Sequence, residues 1–297
     1  MNAQKKAELI LFLTSFIWGG TFVAVKLGLN DMSPVFYTAI RFLIALVIFL
    51  PLLYRKIFPM SIALFKQGLI LGVFLLAGFI TQVIGLEMTT ASKSGFFTGT
   101  LVVFTPLLQI FIERKLPRIG NLVGVMLVML GLFLLTSPEG SSFNMGDGLT
   151  LICAVLYAFY IIYLDVFTVD SDSSQQNVFP LTFMQFAVVG VGALFYSLLF
   201  EEIAFAPTAT VLTSLAYTSL LATLLTTYTQ TRFQKDTTPT RAAIIFSIEP
   251  VISAVFAYFI LNEVLGILGI IGGAILVCGI IISQTSDSWT IFQSSKT

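Results

Sequence analysis

Histidine is absent from this chain of 297 residues, and cysteine occurs only twice. Without an imidazole there can be no Ser-His-Asp triad, no histidine proton relay and no histidine metal ligand. Cys153 and Cys278 each lie inside an apolar run, so they read as buried, unreactive thiols rather than a disulfide or a CxxC pair. No glycine-rich nucleotide loop is present either. Metal, cofactor and nucleic acid are therefore not expected, and no side-chain cluster points to an enzyme. Charge is scarce as well: 10% of residues are charged, against roughly 25% in soluble domains.

What replaces the charge is apolar sequence. Hydrophobic residues make up 57% of the chain and the mean hydropathy is +0.98. The apolar residues come in runs of about 20, the helix length that crosses ~30 Å of hydrocarbon. Ten spans are expected, over 8–28, 34–54, 67–86, 94–112, 119–137, 148–168, 178–200, 210–231, 241–261 and 265–284. The first is too long for a removable signal peptide and lacks a small-residue cleavage site. Breakers separate the spans, among them Pro34, Pro59, Pro117, the stretch Ser137-Pro138-Glu139-Gly140, the polar loop Asp170 to Asn177, and Pro207. The connections leave no room for a soluble domain.

Basic residues favour the cytoplasmic side of a membrane. With the N-terminus inside, the inner loops and tails hold Lys5, Lys6, Arg55, Lys56, Lys66, Arg114, Lys115, Arg118, Arg232, Lys235, Arg241 and Lys296. The outer side keeps Lys26 and Lys93. Both termini are expected in the cytoplasm, and the membrane is expected to be a bacterial inner one.

The chain also repeats itself. TTASKSG begins at Thr89, and TTPTRAA begins 148 residues later at Thr237. The same offset aligns Lys93 with Arg241, Gly124 with Gly272, and Gly131 with Gly279. A looser match sets Trp18 near Tyr157, and Arg41-Phe42 near Gln185-Phe186. Two halves, 1–140 and 141–297, would each carry five spans. An odd number makes the second half enter the membrane from the other side, the inverted repeat of secondary transporters. The loops agree, since Arg114-Lys115 inside corresponds to Asn262-Glu263 outside.

The runs TTASKSGFFTGTLVVFTPLL and FSIEPVISAVFAYFILNE, each followed by a glycine-punctuated helix, resemble EamA-type permeases of the drug/metabolite transporter superfamily. The resemblance covers nearly the whole chain as two tandem units. It implies an all-α polytopic membrane protein, ten transmembrane helices forming two inverted five-helix repeats around a central cavity. It further implies transport of a small polar or amphipathic metabolite, with amino acids the first expectation. A lipid-carrier flippase of the same architecture is the alternative, and would need a lateral basic groove. The partners expected are the small-molecule substrate and the bilayer, with the protein a monomer or homodimer.

Charges inside a span are costly and are functional candidates by default. Arg41 and Glu249 lie deepest, each about 10–12 Å past the start of its span at 1.5 Å per residue. Three readings stand for them. They form a structural ion pair; or Arg41 holds a substrate carboxylate while Glu249 takes an amine; or Glu249 is the coupling proton site. Binding is favoured over coupling because the sequence offers no second acid deep in a span. Trp18, Gln82 and Tyr157 are the best uncharged candidates for the cavity wall. Lys93 and Arg241 stand at the two mouths, either gating the cavity or anchoring helix ends in the headgroups. Pro106 and Pro250 are expected hinges, about which the 3–4 and 8–9 hairpins would rock. The pairs Gly120/Gly124 and Gly269/Gly273 are expected to bring the fifth and tenth helices close together.

Overall fold

Long apolar stretches folded as helix satisfy every backbone group internally, the condition for crossing a bilayer. The computed structural model describes residues 3–114, 116–135, 143–169, 174–261 and 266–285. The first half comprises α1 (Ala3–Gly28), α2 (Pro34–Ile57), α3 (Ile62–Met88), α4 (Ala91–Gly99), α5 (Leu101–Glu113) and α6 (Ile119–Leu135). The second comprises α7 (Met145–Val169), α8 (Ser174–Phe200), α9 (Ala209–Ala216), a π segment (Tyr217–Leu225), α10 (Thr226–Phe233), α11 (Pro239–Phe246), α12 (Glu249–Leu261) and α13 (Ile267–Thr285). Pairing α4 with α5, α9 with α10, and α11 with α12 gives ten spans in two five-helix repeats. Lys115, the linker 137–140, Asp170, Asn262-Glu263 and Lys296 lie outside the described residues.

Some helices overrun their apolar stretches. The first begins at Ala3 and the third at Ile62, each five residues before the expected boundary. Hydropathy marks only the part that meets hydrocarbon, whereas good helix formers such as Gln4, Lys5 and Lys6 carry the helix beyond it.

The fourth and ninth spans are interrupted at equivalent places, Thr100 and Ser247-Ile248. In the ninth, Pro250 has no N–H to offer and sits in the first turn of α12, where it is tolerated. In the fourth, the interruption precedes Pro106 by six residues, and Pro106 lies buried within α5. There the break belongs to Thr100, whose hydroxyl donates to the Phe97 carbonyl oxygen (2.5 Å) in competition with the backbone ladder.

The closing helices α6 and α13 cross through glycine. A Cβ at Gly131 would lie 2.6 Å from the Gly272 carbonyl oxygen, and one at Gly124 would lie 3.0 Å from that of Gly279. Since Gly124 corresponds to Gly272 and Gly131 to Gly279, exchanging the halves maps each contact onto the other. That reciprocity is the mark of a pseudo-two-fold axis between inverted repeats. The close approach runs through Gly124, Gly131, Gly272 and Gly279, a seven-residue spacing that shares Gly124 with the expected pair Gly120/Gly124. Gly273 makes only ordinary contact, 3.8 Å to Leu135 Cδ1. Around the crossing, Met126, Phe133 and Ile270 point outward, fully apolar surface suited to lipid. Cys278 is exposed on the same pair of helices, correcting the expectation that both thiols are buried; Cys153 is buried. An apolar run marks contact with lipid as readily as contact with protein.

Candidate functional site

The central cavity is built by α1, α2, α3, α4, the start of α5, α7 and the eighth and ninth spans. It measures about 90 Å³ at the centre of a water molecule, where one water needs only about 10–15 Å³. Trp18, Arg41, Gln82, Tyr157 and Glu249 all line it. Phe79 and Phe246 add apolar wall.

Arg41 enters from α2, two turns in from Pro34, and its side chain is buried. It docks on the π segment of the eighth span: Nε donates to Thr223 Oγ1, and Nη2 to the Ala222 carbonyl oxygen (2.8 Å). An i→i+5 ladder opens the helix locally, which suits it to receive such side-chain donors. Trp18 uses the same carbonyl, with Nε1 3.2 Å from Ala222 O and 2.9 Å from Thr226 Oγ1. Tyr37, one turn before Arg41, shares its hydroxyl with Ser214 (2.6 Å) and Thr218 (2.9 Å). The guanidinium carbon of Arg41 lies 5.1 Å from the Phe79 ring centroid, a cation–π distance.

Across the cavity, Tyr157 donates to Gln82 Oε1 (3.3 Å), and Gln82 Nε2 donates to Thr98 Oγ1 (3.2 Å). Glu249 is the first residue of α12, where an acid complements the helix dipole. No ion pair within 4.0 Å joins Arg41 to Glu249, and no side-chain hydrogen bond ties Glu249 to another described residue. The structural ion pair is thus not the arrangement found.

Lys93 and Arg241 stand away from this wall, near opposite ends of the bundle. Lys93 Nζ lies 3.1 Å from Asp147 Oδ2, and Arg241 Nε lies 2.8 Å from Glu8 Oε1. Both bases are paired within the protein. Asp165, near the end of α7, is a further buried acid at 5% exposure. It lies three positions from the end of the expected span 148–168, so Glu249 is still the deepest acid, but Asp165 joins it inside the bundle.

The profile of the EamA-like transporter family matches residues 5–137 and again 144–285. The chain belongs to that family. It is an integral membrane transporter, and relatives agree in kind. An uncharacterized transporter of Archaeoglobus fulgidus is 32% identical over 277 residues, covering 93% of this chain and 85% of its own. The uncharacterized transporter YoaV of Bacillus subtilis is 22% identical over 95% of this chain and 98% of its own. A solved crystal structure, 15% identical, superposes with a TM-score of 0.79 over 97% of this chain and 99% of the other, which shows the shared fold.

Several features of this EamA-like transporter escaped the sequence reading. Tyr37, Thr223 and the π segment were missed, although the hydroxyls at Ser214, Thr218, Thr223 and Thr227 recur at a helical spacing with one extra residue. That extra residue is the signature of the wider turn. The acids Glu8 and Asp147 were missed too. They are 139 residues apart, as are Trp18 and Tyr157, so the looser repeat offset could have paired them.

Proposed function

We propose that the cavity carries a small zwitterionic metabolite, amino acids first, by alternating access across a cytoplasmic membrane. The observation that carries this reading is that an arginine and a glutamate face one small, mostly apolar cavity without an ion pair between them. Arg41 engages two of its nitrogens with the eighth span, while a guanidinium has five N–H donors, so donors remain for a carboxylate. Glu249, which meets no hydrogen-bond or ion-pair partner among the described residues, offers its carboxylate to an ammonium group. The aromatic rings of Trp18, Phe79 and Phe246 would take an apolar substituent. Arg41 is the one base among the described residues lining the cavity, which disfavours a lipid-carrier headgroup in a basic groove. The excess of basic residues in alternate loops supports cytoplasmic termini.

Flux of an amino-acid panel into proteoliposomes tests this. Glu249→Gln should raise KM for zwitterionic substrates by about tenfold, as expected for losing a charge-assisted hydrogen bond of about 1.5–3 kcal/mol. Unchanged KM would remove Glu249 from the binding site. Imposing a pH gradient separates the coupling reading. If protons drive uptake, the wild type concentrates substrate with the gradient while Glu249→Gln equilibrates without it.

A further inference from the structure

The repeated motif Thr-Thr-x-x-base builds the same object twice. Thr90 and Thr238 are helix caps: their hydroxyls accept from the backbone N–H of Lys93 (3.2 Å) and Arg241 (3.3 Å), starting α4 and α11. The preceding threonines turn to a carboxylate. Thr89 Oγ1 donates to Asp147 Oδ1 (2.7 Å), and Thr237 Oγ1 donates to Glu8 Oε1 (3.1 Å). Each base then closes on the acid its threonine holds. A further donor from the acid's own helix region completes each cluster: Asn144 N to Asp147 Oδ2 (3.0 Å), and Gln4 Nε2 to Glu8 Oε1 (2.9 Å).

The clusters are images of one another under the repeat. Each joins the fourth helix of one half to the first helix of the other. They also lie at opposite ends of the cavity. Lys26 Nζ donates to the Thr89 carbonyl oxygen (2.8 Å), so the far end of α1 reaches the Lys93 cluster while its near end holds Glu8. Glu8 and Lys26 are 18 residues apart, about 27 Å of helix, close to the hydrocarbon thickness.

We propose that these two clusters are alternating latches, one sealing each mouth of the cavity. The inference rests on the alternating-access reading above. All four charged side chains are 1–13% exposed. A buried base cannot be drawn from its acid unless water replaces it, because two separated charges left without water or a counter-charge are strongly disfavoured. Parting a latch and wetting its mouth are therefore one event. The mechanical element is present as well. Each base rides a short helix, nine residues in α4 and eight in α11, set off from the rest of its span by the interruption at Thr100 or Ser247. A tilt of that short helix opens a mouth without moving α5 or α12. Both latches are closed in this structure.

The test reads access from each face and needs no knowledge of the substrate. In a background carrying Cys153→Ser and Cys278→Ser, a reporter cysteine replaces the cavity residue Thr227. A membrane-impermeant maleimide is applied to either face of oriented vesicles. The parent should label slowly from both faces. Asp147→Asn and Lys93→Gln should each speed labelling at least tenfold from the Lys93 face alone. Glu8→Gln should do the same from the opposite face alone. The double variant Lys93→Gln/Asp147→Asn should label no faster than the quicker single, since both remove one interaction. One-sidedness serves as the folding control, and either partner of a latch decides if the other variant is poorly made. Faster labelling from both faces, from neither face, or additive effects in the double variant would overturn the latches while leaving the amino-acid reading intact. A failed flux panel with one-sided labelling would do the reverse.

Discussion

The two halves agree at the closing helices and disagree in the cavity. At the α6–α13 crossing, Gly124 faces Gly279 as Gly131 faces Gly272, and either half could stand for the other. Inside the bundle the correspondence breaks. Arg41 answers to Gln185, which bonds internally to Tyr160 (2.8 Å) and Thr231 (3.3 Å). Glu249 has Leu101 at the equivalent place 148 residues earlier. Trp18 answers to Tyr157. Packing two antiparallel copies rewards identity, because one solution serves both halves. A substrate with a positive and a negative end rewards difference, because a symmetric cavity would present like charges to unlike groups.

Three substitutions probe this contrast, the largest effect first. Gly131→Leu places side-chain atoms against the α13 backbone, where neither helix can yield by a rotamer change. Overpacking costs about 1–3 kcal/mol even where side chains can move, so a larger loss is expected here. Detergent-solubilised protein should lose its monodisperse peak on mild heating, while the lipid-facing Met126→Leu should not. Equal survival of both would mean the crossing is looser than drawn. Arg41→Leu should lower kcat/KM at least about 100-fold, about 2.7 kcal/mol, without shifting thermal stability to match. A stability loss with little change in transport would make Arg41 a packing residue and return the cavity to symmetry. Thr223→Val removes only the acceptor for Arg41 Nε. About 1 kcal/mol for one hydrogen bond predicts a roughly fivefold rise in KM at unchanged maximal rate.

Much of this contrast was legible in the chain. Spans follow from apolar length, inversion from an odd count and charge placement, and the glycine offsets already contained the reciprocal crossing. Arg41, Glu249, Trp18, Gln82 and Tyr157 stand out because polar groups in hydrocarbon demand a reason, and the fold brings them around one cavity. The remainder depended on partners distant in sequence. Lys93 and Arg241 read equally well as headgroup anchors until Asp147 and Glu8 arrive from the opposite half. The interruption at Thr100 carries no proline, so a hinge at Pro106 was the natural inference from covalent constraint alone. The π segment consists of residues any helix accepts, and only the spacing of its hydroxyls betrays the wider turn.

The most direct measurement is ligand-induced thermal stabilisation of the purified transporter by an amino acid it carries, by that amino acid's methyl ester and by its N-acetyl derivative. The wild type should bind both derivatives about tenfold more weakly than the zwitterion, each having lost one charge-assisted hydrogen bond. Arg41→Leu should bind zwitterion and ester alike, and Glu249→Gln should bind zwitterion and N-acetyl derivative alike. Wild-type protein indifferent to the missing charge, or both variants losing all three ligands in equal measure, would contradict a cavity polarised between Arg41 and Glu249.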